Sequence, residues 1–270
     1  MKARRIRRSR GFTLIEVIVV VAVLSILASL ALPYAAKFID IARVESTRRQ
    51  IEELHRAVVG DPKGPTAGYL GDMGALPASL DPLNTQGGQP GRTYGPLGVK
   101  HGWDGPYMKF GYSARAYLVD GWGKDLRYNN PGPGQIRSDG PDRTPGTPDD
   151  IIYPPSAVVP SGRLLVNLYV WRTDNTSSQY VLNPQPGAFV GMQASVQAYY
   201  SLNGARSAVP LSAGIPPGPA GPPYSLGPTH AGFHEVFATC TLPPDAQVGG
   251  RAVVYVPENN QQTQLNLYLR

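Results

Sequence analysis

Residues 4–36 read RRIRRSRGFTLIEVIVVVAVLSILASLALPYAA. Basic side chains crowd the segment before Gly11, and the apolar run that follows carries a single charge, on Glu16. A helix of about twenty apolar residues spans the hydrocarbon layer of a bilayer, so this pattern predicts a transmembrane segment over residues 12–36. Because basic residues stay on the cytoplasmic side, we expect the N-terminus in the cytoplasm and the rest of the chain across the membrane.

A carboxylate in an apolar segment normally has a partner, and the sequence offers one for Glu16. Placing such a charge in a membrane helix costs about 2–3 kcal/mol on insertion scales. Cleavage after Gly11 would create an amine on Phe12, one helical turn before Glu16. The amine of a neighbouring subunit would reach Glu16 equally well. In a medium of low dielectric constant this ion pair is strong, and it would fix the axial register between subunits.

The run GFTLIEV at residues 11–17 resembles the N-terminal signature of type IV pilins and pseudopilins. The resemblance implies that a prepilin peptidase cleaves between Gly11 and Phe12 and that the new amine of Phe12 is methylated. It also implies that Glu16 is needed for filament assembly and that Pro33 loosens the helix within the membrane. The alternative is a secretory signal peptide or a simple anchor, in which Glu16 would have no use.

The overall charge gives no support to a nucleic-acid partner. The chain has a formal net charge of +6, but six of its 25 basic residues lie before Phe12, so the processed chain carries 19 basic and 19 acidic residues. The single cysteine, Cys240, excludes an intrachain disulfide and is expected to be a small buried residue. We find no paired acid and base whose spacing calls for catalysis, so the chain is predicted not to be an enzyme.

Beyond the apolar run, the chain keeps the spacing of an amphipathic helix. Apolar residues recur at intervals of three, four and seven from Ile41 to Val58, and charged residues occupy the other positions. The triplet Gly60-Asp61-Pro62 then ends the pattern. We therefore predict one continuous helix over residues 12–59, whose second half packs on a globular domain.

The rest of the chain, with most of its 31 glycines and 28 prolines, is expected to be rich in loops. We divide the chain into a leader at residues 1–11, the helix, a globular domain at residues 60–153 and a β-sandwich-like domain at residues 160–270. Alternating apolar residues around turn glycines predict a small antiparallel sheet in the globular domain, and several strand-like runs predict the sandwich. The predicted fold class is α+β, with the long helix packed on the small sheet.

Four aspartates lie in a turn-rich segment: Asp139, Asp142, Asp149 and Asp150. Calcium takes six to eight oxygen ligands and accepts both carboxylates and backbone carbonyls, which a folded loop can supply. The spacing is not that of an EF-hand. The residues alone favour solvated turns, in which Arg137 and Arg143 balance part of the charge.

Several motifs together resemble the major, G-type pseudopilin of type II secretion: GWDGPY at residues 102–107, DGWG at residues 120–123 and the segment at residues 138–151. The resemblance implies a structural calcium ion in this segment, bound by the carboxylates of the last three aspartates and the backbone carbonyl of Asp139. The chain departs from the family where Lys124-Asp125 replaces Asn-Pro, and in having more than a hundred further residues.

With these resemblances, the sequence predicts a structural filament subunit of a type II secretion system. It would be a single-pass protein of the bacterial inner membrane with its C-terminal domains in the periplasm. Its implied partners are the membrane, copies of itself, other pseudopilins or pilins, the prepilin peptidase and the inner-membrane assembly platform. One alternative is a pilin of an extracellular type IV pilus that displays the β-domain for adhesion or binding. Another is a membrane-anchored binding protein or enzyme, for which the sequence supplies no residue set.

Overall fold

The computed structural model describes residues 13–61, 66–108, 115–173, 178–183, 193–209, 223–242 and 246–270. Within these ranges, the side chains of residues 30–36, 172–173, 178–179, 193, 242 and 246 lie outside the description. The chain forms two compact units, Met1–Ser46 and Thr47–Arg270. The first unit contains the beginning of a 46-residue helix, α1 (Leu14–Val59). This helix agrees with the one predicted over residues 12–59, because a 3.6-residue repeat is a local signal.

The side chains of α1 from Leu14 to Ser29 are exposed. Over the described part of the chain, no helix combines the length with the hydropathy that a membrane crossing needs. The transmembrane segment at residues 12–36 therefore stays a prediction.

The last turns of α1 belong to the second unit and bury Ile51, Leu54 and Val58, as the apolar spacing predicts. The helix ends at Gly60, whose φ of +90° is left-handed and whose N–H donates to the carbonyl of Arg56 at 2.8 Å.

The body that follows is made of short elements. The elements are α2 (Gly68–Met73), β1 (Thr93–Tyr94), β2 (Lys100–His101), β3 (Arg127–Tyr128), β4 (Ile136–Ser138) and β5 (Ile151–Tyr153). The first two strands form an antiparallel pair, and the other three form an antiparallel sheet in the order β3-β4-β5. The four aspartates therefore lie on the connection between two hydrogen-bonded strands, β4 and β5.

Longer strands make up the rest of the unit: β6 (Ser161–Thr173), β7 (Ser178–Leu182), β8 (Gln193–Leu202), β9 (Ala205–Ala208), β10 (Tyr224–His230), β11 (Gly232–Leu242), β12 (Ala246–Val256) and β13 (Gln262–Leu269). One sheet has the order β10-β6-β13 with β7 also paired to β6, and the other has the order β12-β11-β8-β9. Alternate residues of β6 share a buried core with alternate residues of β8 and β11, including Cys240. Two facing sheets match the predicted sandwich, although β13 pairs with β6 in parallel.

The body and the facing sheets touch closely within this second unit. A Cβ on Gly74 would lie 1.9 Å from the carbonyl oxygen of Ser201, and a Cβ on Gly232 would lie 2.7 Å from the Cα of Gly71. Backbone approaches this close leave no room for a side chain. Contacts therefore cross the boundary predicted between residues 153 and 160, and that boundary stays a prediction.

Candidate functional site

The N-terminal residues predicted to act in assembly are described only in part. Gly11 and Phe12 lie outside the described residues, and α1 continues through Pro33, whose side chain is not described. Glu16 is exposed, and its Oε2 accepts a hydrogen bond of 3.4 Å from the backbone N–H of Thr13. In return the hydroxyl of Thr13 accepts from the N–H of Glu16 at 3.3 Å.

This reciprocal pair is a capping box, which satisfies two of the free N–H groups at the start of a helix. The spacing Thr13-x-x-Glu16 carries the signal for it, so sequence reasoning had the means to find this second role of Glu16. The bond from Thr13 is long, at the weak end of N–H···O geometry. A carboxylate also accepts more than one donor, so a cation at this position can compete for Glu16.

The connection between β4 and β5, residues 138–150, is called the acidic loop below. Its first aspartate, Asp139, has a side chain that is 1% exposed and lies among three cationic groups. Its Oδ2 is 2.7 Å from Nζ of Lys124 and 2.9 Å from Nη2 of Arg127, and its Oδ1 is 3.3 Å from Nε of Arg137. Burial alone would raise the pKa of Asp139, but the hydrogen bond from Lys124 and the charge of Arg127 lower it. The carboxylate of Asp139 therefore lies within ion-pair distance of three cationic groups of the chain.

The last aspartate of the loop is engaged in the same way. Oδ2 of Asp150 accepts from Nη2 of Arg137 at 2.6 Å and from the backbone N–H of Gly146 at 2.9 Å. Arg137 thus bridges Asp139 and Asp150, which stand at opposite ends of the acidic loop.

The two middle aspartates hold the backbone of the loop. Oδ1 of Asp142 accepts from the N–H of Thr144 at 2.7 Å, and Oδ2 of Asp149 accepts from the N–H of Asp142 at 3.2 Å. Hydrogen bonds from Thr147 and from the N–H of Asp142 lower the pKa of Asp149. Both carboxylates serve as turn-forming acceptors, a common use of aspartate.

These contacts do not fit the calcium set implied by the resemblance. Of the three carboxylates in that set, that of Asp150 is paired with Arg137, and those of Asp142 and Asp149 accept backbone N–H groups of the loop. Among the described residues, no cluster of three or more His, Cys, Asp or Glu side chains has the arrangement to hold a metal ion. Calcium binding by Asp139, Asp142, Asp149 and Asp150 stays a prediction that rests on the resemblance alone.

A second cluster joins the body to the facing sheets, and sequence reasoning missed it. Glu235 on β11 is fully buried, and its Oε1 accepts from the backbone N–H of Leu97 at 2.7 Å. Its Oε2 lies 2.8 Å from Nε of Arg206 on β9. The guanidinium of Arg206 also lies 3.5 Å from the ring centroid of Tyr199. The only sequence signal was a glutamate within the apolar run of β11, with no indication of its partners.

The histidines near this cluster are buried. His234 contacts the hydroxyl of Thr229 at 2.7 Å and the carbonyl of Gly232 at 3.0 Å, and burial lowers its pKa to about 4. His101 contacts the hydroxyl of Ser201 at 2.8 Å. Both rings are tied to polar neighbours at the junction between the body and the facing sheets.

Comparisons with known proteins agree with the N-terminal motif. The Prokaryotic N-terminal methylation motif matches residues 6–32. A type II secretion system core protein G from Xanthomonas campestris pv. campestris is 30% identical over 139 residues, which are 50% of this chain and 81% of that protein. A protein of the same name from Klebsiella michiganensis is 34% identical over 150 residues, which are 54% of this chain and 94% of that protein. No solved structure shows a significant match.

Proposed function

The chain belongs to the family of type II secretion system core protein G, and we propose that it is a pseudopilin cleaved between Gly11 and Phe12 and methylated on Phe12. In this proposal the processed chain is anchored in the inner membrane, with Thr47–Arg270 on the periplasmic side. It joins copies of itself and other pseudopilins in a filament that grows from the inner-membrane assembly platform. The observation that carries the proposal is the methylation motif at residues 6–32, which runs directly into α1.

The exposed start of α1 supports assembly through this helix. The large apolar side chains from Leu14 to Leu27 are each at least half exposed, as in Ile18 at 57% and Leu24 at 57%. A continuous apolar surface of this extent has to be covered by lipid or by protein. Lipid would cover it before assembly, and the helices of neighbouring subunits would cover it within the filament.

Glu16 supplies the specific contact in this scheme. Its hydrogen bond from Thr13 is long and comes from an uncharged N–H group, whereas an ammonium brings a full opposite charge, whose attraction is strong in a medium of low dielectric constant. The amine of Phe12 on an adjacent subunit would therefore pair with Glu16 and set the axial position of each new subunit. The carboxylate would cap its own helix until that amine arrives.

The test separates the charge of Glu16 from its capping role. Glu16→Gln keeps an acceptor that a capping box tolerates, but removes the charge. We expect the variant to be processed and present in membranes at normal levels, and to be lost from the sheared filament fraction. Thr13→Ala removes the hydroxyl of the cap and should leave filament recovery close to normal. Glu53→Gln is a matched control, because Glu53 is an exposed glutamate on the same helix.

Two results would contradict the proposal. Normal filament recovery of Glu16→Gln would remove the role of the charge. A chain isolated from membranes that begins at Met1, as measured by intact-mass spectrometry, would remove the amine on which the pairing depends.

A second candidate function has one observation in its favour. The two relatives align with only about half of this chain. The sheet that contains β6 and β13 carries a cluster of aromatic rings. Tyr169 stacks on Tyr268 with centroids 4.7 Å apart, and Tyr180, 41% exposed, contacts Tyr268 and Trp171 at 5.6 and 4.9 Å. Exposed aromatic patches are common at binding surfaces. A type IV pilin that displays this domain is the alternative, and long surface fibres labelled by an antibody to β6–β13 would favour it.

A further inference from the structure

We propose that lysine and arginine side chains of this chain hold the acidic loop in place of a calcium ion, so that its folding does not depend on calcium. The proposal does not rest on the proposed function, because the loop has to be held in either kind of filament. Its failure would leave the assembly role of Glu16 untouched.

The ammonium of Lys124 occupies the position of a bound cation. Nζ of Lys124 is 2.7 Å from Oδ2 of Asp139 and donates to the carbonyl oxygen of Arg143 at 2.5 Å. Calcium is held by the same kinds of donor, a carboxylate together with backbone carbonyls. Lys124 therefore connects the start of the acidic loop to its middle, as a metal ion would.

Arg137 connects the two ends of the loop. Its Nε is 3.3 Å from Asp139 and its Nη2 is 2.6 Å from Asp150, and its side chain is only 11% exposed. A guanidinium presents donors in a planar fork, so one arginine can serve two carboxylates. The two strand ends next to the loop are thereby held together by a covalently attached cation.

The strand register explains why Asp139 is committed to these cations. Arg127 on β3 and Arg137 on β4 are direct partners across the antiparallel pair. Like charges placed directly opposite each other destabilise a sheet unless an anion lies between them. The carboxylate of Asp139 contacts both guanidinium groups and removes that repulsion. Loss of the Asp139 carboxylate would leave the two arginines unbalanced.

The basic residues around the loop lead to the same conclusion. Three of them, Lys124, Arg127 and Arg137, contact the carboxylate of Asp139. The fourth is Arg143, within the loop. Nη2 of Arg143 donates to the carbonyl of Trp122 at 2.6 Å, so the fourth cation is held as well. A divalent ion bound to the carboxylate of Asp150 would lie next to the guanidinium of Arg137, which already pairs with Oδ2 of that carboxylate.

The experiment uses the full processed chain in detergent. Isothermal titration with Ca²⁺ should give no binding heat, and the melting temperature should be the same in Ca²⁺ and in chelator. The double variant Lys124→Gln with Arg137→Gln should melt about 10 °C lower. Arg251→Gln, at an exposed arginine of β12, is the control for the loss of a surface charge and should melt like the wild type.

Three results would overturn the proposal. The first is a one-to-one Ca²⁺ isotherm for the wild-type chain, and the second is a melting temperature of the wild type that rises with Ca²⁺. The third is a double variant that loses no more stability than Arg251→Gln. If the double variant does not fold, the wild-type titration decides the question by itself.

Discussion

In the ion pair of Glu235 and Arg206, we expect the two partners to differ in how much stability is lost when each is replaced. The side chain of Glu235 is 0% exposed, whereas that of Arg206 is 30% exposed. In Arg206→Met the carboxylate of Glu235 would stay buried with the N–H of Leu97 as its remaining partner from this cluster. In Glu235→Gln the guanidinium of Arg206 would still reach water, and the new amide oxygen would still accept from Leu97. We therefore expect Arg206→Met to be much the more damaging change.

The structure also sets the size of the difference. Leaving one member of a buried ion pair uncompensated costs about 3–5 kcal/mol. For Arg206→Met we expect the lower end of this range, about 3 kcal/mol, because Arg206 is partly exposed and Glu235 keeps its hydrogen bond from Leu97. The lost contact between Arg206 and the ring of Tyr199 adds about 1 kcal/mol. For Glu235→Gln we expect about 1 kcal/mol, the usual net value of a hydrogen-bonded pair with partial access to solvent.

Urea denaturation of the full processed chain in detergent measures both values, with tryptophan fluorescence as the signal. Trp103 and Trp122 report on the body, and Trp171 reports on the facing sheets. Arg251→Met is the control for an arginine on the surface. Equal losses of stability for Arg206→Met and Glu235→Gln would refute the reasoning.

Two further predictions concern the same unit. Burial lowers the pKa of His234 from 6.5 to about 4, so folding favours its neutral form. Between pH 7 and pH 5, His234 should therefore contribute about 2 kcal/mol to a fall in the free energy of unfolding. Urea titrations at the two pH values should show that His234→Gln reduces the fall by about this amount. Gly74→Ala should destabilise the fold by more than about 3 kcal/mol, because φ is +72° and the new Cβ would lie 1.9 Å from the carbonyl oxygen of Ser201. The control is Gly98→Ala, at φ +82° with open space around it, which should cost about 1 kcal/mol. Equal losses of stability in the two variants would show that the close approach at Gly74 does not matter.

The elements predicted well from sequence are those set by local spacing. The bounds of α1 follow from an apolar repeat and from Gly60, and the buried positions Ile51 and Leu54 follow from the same repeat. The parallel pairing of β13 with β6 was out of reach, because alternation shows which face of a strand is buried but not which strand lies beside it.

The two charge clusters were predicted less well for a related reason. Sequence reasoning placed Arg137 and Arg143 next to the aspartates, since they are neighbours in the chain. It did not place Arg127 there, because Arg127 reaches the acidic loop only through its register with Arg137. Lys124 was noted as a departure from the family pattern, but its role appears only when its ammonium is seen between a carboxylate and a carbonyl.

The junction between the body and the facing sheets limits what the added strands can do in a filament. Proline-rich segments often act as spacers between domains. The segment at residues 154–160, between β5 and β6, is instead hydrogen-bonded both to the body and to the facing sheets. The N–H of Val158 donates to the carbonyl of Pro133 in the body, and the N–H of Val159 donates to Oδ1 of Asn259 beyond β12. Val158 is also buried, at 3% exposure. The strands β6–β13 are therefore held by the body, and any partner that binds their aromatic face binds a surface whose position is set by the body.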